Sequence, residues 1–141
     1  MQRYEIIPLN DYDYCFFSKG VKTIIEKRVA FRPSDLPNYF RLSFGDFING
    51  YIEEDITTNN NDTELVIATV AWCVICFTQK SKDIRVKFSG ITKARTRLFS
   101  IWISKNSDEL LKYLHIYGYI NNKCEKFRSN IRYNSFLISA K

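Results

Sequence analysis

The stretch Thr63-Glu64-Leu65-Val66-Ile67-Ala68-Thr69-Val70-Ala71-Trp72-Cys73-Val74-Ile75-Cys76-Phe77-Thr78-Gln79 divides the chain in two. Its β-branched residues would suit a strand, but its length favours a helix. Asn61 or Asp62 can cap that helix, and Glu64 suits its positive first turn. Apolar residues on every side of a helix predict burial on every side. The apolar core of the run, Leu65–Phe77, has 13 residues including Thr69. A membrane-spanning helix needs about 20, so this one is expected to sit inside the fold and not in a bilayer.

Before this helix the chain reads as strands. Tyr4–Leu9 and Tyr14–Ser18 flank the turn formers Asn10–Asp13, and Lys19-Gly20 makes the next turn. Val21–Phe31 is rich in β-branched residues, and Pro33 and Pro37 bracket a loop. Tyr39–Phe44 alternates, with Phe40, Leu42 and Phe44 on one face and Tyr39, Arg41 and Ser43 on the other. Gly45 to Gly50 turns the chain towards a fifth strand, Tyr51–Ile56, and Asn59-Asn60-Asn61 is a further turn. Consecutive strands joined by short turns predict an antiparallel meander.

After the helix the elements mix. Ile84–Phe88 alternates as a strand and Gly90 ends it. Thr92–Lys105 is an amphipathic helix, with Ala94, Leu98, Ile101 and Trp102 at helical spacing. Its stripe either runs on to Lys112, or Ser107 with Asp108 and Glu109 caps a new short helix. Leu114–Ile120, a turn at Asn121-Asn122 and Cys124–Phe127 form a hairpin, and Tyr133–Ser139 is the last strand. The class is α+β: an N-terminal antiparallel meander of about five strands, then α-β-α-β-β, packed around one buried apolar helix. A chain of 141 residues is expected to form a single domain over residues 1–141.

A hydrophobic fraction of 45% supplies a core that needs no disulfide staples. The four cysteines, Cys15, Cys73, Cys76 and Cys124, are too few for a disulfide scaffold and are read as thiols. Met1–Leu9 lacks the basic stub and apolar run of a secretory signal, so a cytoplasmic location is expected.

The net charge is +6, and its distribution matters more than its size. Lys80 to Lys105 holds eight basic residues and one acid, Asp83, giving +7, while the rest of the chain sums to −1. A positive field confined to one segment attracts phosphate, nucleic acid or an acidic protein partner.

Within it, Phe88-Ser89-Gly90-Ile91-Thr92-Lys93-Ala94-Arg95-Thr96-Arg97 reads as strand end, glycine turn and helix start. Thr92 can cap the helix, yet the first turns carry Lys93, Arg95 and Arg97, where a helix N-terminus disfavours cations. A bound anion would repair that misfit. Free N–H groups, a close-approach glycine, hydroxyls and arginines together describe a phosphate site. The expected anion- or nucleic-acid-binding residues are therefore Ser89, Gly90, Thr92, Lys93, Arg95 and Arg97, extended by Arg85 and Lys87 on the preceding strand. The alternative has Arg95 and Arg97 solvated or paired with Glu53-Glu54-Asp55. Tyr117 and Tyr119, sharing a strand face with His115 and Tyr113, would stack nucleobases if exposed and fill the core if not.

Catalytic patterns are not assembled. Trp72-Cys73-Val74-Ile75-Cys76 places both thiols in the middle of an apolar helix, where a redox pair needs an exposed sulfur at a helix N-terminus. No paired Cys/His spacing makes a metal site, and no cofactor motif is present. His115 is the lone histidine, which excludes any two-histidine mechanism; no nucleophile elbow or catalytic-cysteine context accompanies it, and a metal-free ribonuclease built from Arg, Lys, Tyr and His115 is the enzymatic alternative.

Arg3-Tyr4-Glu5-Ile6-Ile7-Pro8-Leu9 at the start, Gly90-x-Thr92-x-Ala94-Arg95-Thr96-Arg97-Leu98-Phe99 in the middle and the later Ile116-Tyr117-Gly118 resemble a family of small uncharacterised bacterial proteins. That resemblance implies a bacterial, cytoplasmic protein and carries over no activity or site residue. The expected function is binding of a phosphate-bearing partner, nucleic acid or nucleotide. The alternative is a protein-interaction role, as a homodimer or as half of a toxin–antitoxin pair.

Overall fold

The computed structural model describes residues 1–55 and 60–141. The fold is α+β, and its chain contacts separate into two compact units. The first comprises Met1–Arg32 and Leu42–Phe77, and the second comprises Pro33–Arg41 and Thr78–Lys141.

In the first unit, β1 (Ile7–Pro8), β2 (Asp13–Lys19), β3 (Ile24–Pro33) and the larger part of β4 (Tyr39–Ile48) follow one another in the sheet. β5 (Tyr51–Glu53) folds back antiparallel on β4. The β2–β3 register sets Tyr14 opposite Val29 and Phe16 opposite Lys27, so these side chains share a face. That face receives α1 (Thr63–Thr78). The Phe31 and Phe77 rings stack at 4.0 Å between centroids. Val66 to Val70 are five consecutive buried residues, more than one full turn, so α1 is buried on every side there, while Leu65, Trp72 and Cys76 are half-buried.

The expected first strand shrinks to two residues for a specific reason. Tyr4 donates its backbone N–H to Thr69 Oγ1 at 2.9 Å and its hydroxyl to Asp62 Oδ2 at 2.6 Å. These bonds turn the segment towards α1 and away from strand pairing. Ser18 Oγ donates to the same Asp62 oxygen at 2.6 Å. The carboxylate at the positive end of α1 is thereby fixed by two strands of chain. Gly45, expected in a turn, lies inside β4. A Cβ there would meet Glu53 O at 2.3 Å, so glycine lets the β5 backbone approach. The turn itself is Asn49-Gly50, with φ of 52° and 85°, a two-residue hairpin connection. Ile56 of the expected fifth strand and Asn59 of the expected turn lie outside the described residues.

In the second unit the strand order is β4-β6-β9-β7-β8, with β6 (Arg85–Phe88), β7 (Leu114–Ile120), β8 (Lys123–Lys126) and β9 (Ser135–Ala140). β6 lies parallel to the start of β4, Tyr39 opposite Arg85, whereas its other neighbour β9 is antiparallel. Parallel pairing needs a long connection, and the chain passes through β5 and α1 before returning as β6. Asn121 and Asn122, with φ of 49° and 68°, turn β7 into β8. α2 (Lys93–Lys105) sets Phe99 edge-on to Phe88 at 5.7 Å, and Phe88 stacks on Phe136. α2 ends at Asn106, whose side-chain amide donates to Trp102 O, and a separate short α3 (Ser107–Leu110) follows. Asn106, not Ser107, holds the cap position of α3, without a side-chain bond. Among the described residues no helix is long and apolar enough to cross a membrane.

Candidate functional site

The turn from β6 into α2 is built from its own hydroxyls. Thr92 takes the extended cap conformation and accepts the Arg95 N–H at 3.2 Å. Thr96, buried, accepts the Gly90 N–H at 3.0 Å and donates to Thr92 O at 3.1 Å. A Cβ at Gly90 would lie 2.6 Å from both Arg95 Cβ and Thr96 N. The glycine thus admits the first turn of α2 itself. Ser89, Thr92, Lys93 and Arg97 are exposed around this turn, and Arg95 is half-buried.

Arg85 and Lys87 go elsewhere. Val86 and Phe88 point to the face on which α2 packs, so alternation sends Arg85 and Lys87 to the other face of the same sheet. There the register aligns Arg41, Lys87, Leu137, Tyr117 and Lys126 in one row across five strands. Tyr39 stands beside Arg85, Tyr119 beside Ser135 and Cys124, and His115 beside Ser139. The eight expected site residues therefore fall into two groups, six at the α2 turn and two on the opposite sheet face.

On that face Arg41, Lys87, His115 and Lys126 are exposed, and Tyr39, Arg85, Tyr117 and Tyr119 are half-buried. The Lys87 ammonium lies 4.7 Å from the centre of the Tyr119 ring, a cation–π contact. Arg85 Nη1 donates to Lys82 O at 2.7 Å, holding the guanidinium near the strand entry. Burial and then the neighbouring Cys124 push the Tyr119 hydroxyl above its ordinary pKa, so it stays a neutral donor well into alkaline solution. Sequence alternation alone already paired Arg85 with Lys87 and Tyr117 with Tyr119. Arg41 and Lys126 join them only through register.

Elsewhere the chemistry is muted. In the first unit a cleft of about 520 Å³ has Asp13, Arg28, Arg32 and Phe47 in its lining. Arg28 stacks over Phe47 at 3.7 Å and pairs with Glu26, and Arg32 pairs with Asp13 at 3.1 Å. Both cations are matched locally, which leaves the cleft little net pull on an anion. Burial pushes the Cys73 thiol far up, which makes it unreactive, and Cys15 shifts the same way. Cys124 alone among the cysteines is exposed. Among the described residues no three His, Cys, Asp or Glu side chains converge as a metal site.

A family model described as a family of unknown function matches residues 1–141. No curated protein and no solved structure matches the chain.

Proposed function

Because the chain belongs to the Family of unknown function (DUF6934), which brings no activity with it, we propose from the chain's own surface that it is a binding module for a phosphate-bearing partner. One observation carries this reading. Lys82, Lys87, Lys93, Arg97 and Lys105 are exposed, and among the described residues none of them lies within ion-pair distance of a carboxylate. Surface cations are ordinarily interspersed with acids. A run of unmatched ones repels itself and gains free energy when a polyanion approaches. The α2 turn adds the exposed hydroxyls of Ser89 and Thr92. Lys93, Arg95 and Arg97 surround it, while Arg85 and Lys87 form a second positive group on the opposite face of the sheet.

The test is binding of labelled RNA, duplex DNA and free nucleotides at two salt concentrations, with Arg95→Ala/Arg97→Ala as the control. Affinity for a nucleic acid is expected to fall steeply with salt. Each lost phosphate contact should reduce the logarithmic salt slope by about 0.9 for duplex DNA or about 0.7 for a single strand. Absence of binding to every polyanion would refute the reading and leave an acidic protein partner as the next candidate.

A further inference from the structure

The open face of the second unit's sheet combines two properties that polyanion binding alone does not require. It is uniformly basic, and it carries aromatic rings. Register places Arg41, Arg85, Lys87 and Lys126 on it and, among the paired strand residues, no acid. Glu125, the nearest acid in sequence, pairs with Gly118 and so points to the other face. Tyr117 and Tyr119 stand between these cations, about 7 Å apart along one strand. Both are only half-buried, although the same sheet buries Phe136, Ile138, Leu114 and Ile116 on its packed side. Rings of that size are left at a sheet surface at a cost in unburied apolar area.

One π face of the half-buried Tyr119 ring meets the ammonium of an exposed lysine, Lys87. An ammonium over a ring is a weak, exchangeable partner at an exposed site. A nucleotide supplies better partners for both at once: a base for the ring and a phosphate for the ammonium. Duplex nucleic acid cannot do this, because its bases are already stacked on one another. Phosphate without a base would use the cations and leave the rings idle.

We infer that this sheet face is a binding surface for single-stranded RNA, with bases stacked on Tyr117 and Tyr119 and phosphates held by Arg41, Lys87 and Lys126. The exposed His115 imidazole, two residues before Tyr117 on the same face, is placed to bond a ribose 2′-hydroxyl, the group that separates RNA from DNA. This inference rests on the reading that the partner carries phosphate, and it adds the bases and the surface.

The experiment is titration of the full chain with a short labelled RNA, the DNA of the same sequence, the RNA duplex and inorganic polyphosphate. Single-stranded RNA is expected to bind tightest. Tyr117→Leu should weaken it by about five- to a hundredfold, the loss that follows removal of one base–ring stack. Tyr117→Phe, which keeps the ring, should bind as the wild type does. Lys87→Ala should weaken all four ligands. In the wild-type protein, ring-proton resonances of Tyr117 and Tyr119 should move upfield on RNA addition, a readout that no variant's folding can disturb. Unmoved ring resonances, with polyphosphate and RNA bound equally, would overturn the stacking surface while leaving a phosphate-binding module. DNA bound as tightly as RNA would overturn the RNA assignment. No binding to any of the four would remove both readings together.

Discussion

Lys27 Nζ lies 2.5 Å from Asp46 Oδ1, and the two side chains are only 4% and 2% exposed. Lys27 faces the apolar side of the first unit's sheet together with Phe16, its register partner. The second carboxylate oxygen, Asp46 Oδ2, has no hydrogen-bond partner among the described residues. A buried pair of this kind is costly to form, because desolvation consumes most of the attraction, and costly to break, because one charge is then stranded. Lys27→Met is therefore expected to cost about 3–5 kcal/mol, and the double variant Lys27→Met/Asp46→Leu to recover most or all of it. Urea unfolding of the two variants beside the wild type checks this. A double variant as unstable as the single one would show that the pair is net stabilising.

The second unit leans on a ring laid over a glycine. A Cβ at Gly118 would meet the Tyr133 ring at 2.3–2.5 Å. Tyr133 cannot easily withdraw, since it also packs edge-on to Phe136 and its hydroxyl accepts the Arg128 N–H at 2.9 Å. Gly118→Ala should destabilise by about 1–3 kcal/mol through overpacking. Tyr133→Ala together with Gly118→Ala should cost little more than Tyr133→Ala alone, because the clash disappears with the ring. Thermal unfolding of the three variants forms the cycle.

What the chain shows in advance follows from how local the physics is. Thr63–Thr78 was legible as a helix because its apolar run is too long for a strand, and Leu114–Ile120 because it alternates between turn formers. Tyr4 escaped because the groups that bend it away from the sheet, Asp62 and Thr69, lie 58 and 65 positions away. The parallel pairing of Tyr39 with Arg85 escaped for the same reason. At the site, charge and alternation exposed Arg85, Lys87 and the tyrosine pair. That β9 runs between β6 and β7, lining these rows up on one face while α2 packs on the other, is a matter of strand order that no local pattern encodes.

Gly90 separates a structural role from a binding one. Because its missing Cβ makes room for Arg95 and Thr96, Gly90→Ala should push α2 away from β6 and lower stability by about 1–3 kcal/mol. Lys93→Ala and Arg97→Ala, on the exposed surface, should change stability by less than about 0.5 kcal/mol. Circular-dichroism melts of the three variants make the comparison. A stable Gly90→Ala variant would show that the turn has slack.

Alkaline pH should loosen the whole chain. The ordinary values are 9.0 for a cysteine thiol and 10.0 for a tyrosine. In the fold, burial pushes Tyr14 up to about 12 and raises Cys73, Cys15 and Tyr133 as well. Tyr4 rises through burial and its bond to Asp62. Every one of these groups is neutral when protonated, so the fold favours the protonated form. The unfolded chain then releases protons first, binds fewer than the native state above about pH 9, and stability falls with rising pH. The stabilisation is fully present below about pH 9 and is lost as pH climbs through the raised native values. The urea midpoint should hold steady from neutral pH to about 9 and drop beyond it. Part of the tyrosinate absorbance should appear only as the pH approaches about 12, where Tyr14 ionises. A midpoint that rises above pH 9 would mean that the buried phenols and thiols ionise more easily in the fold than outside it.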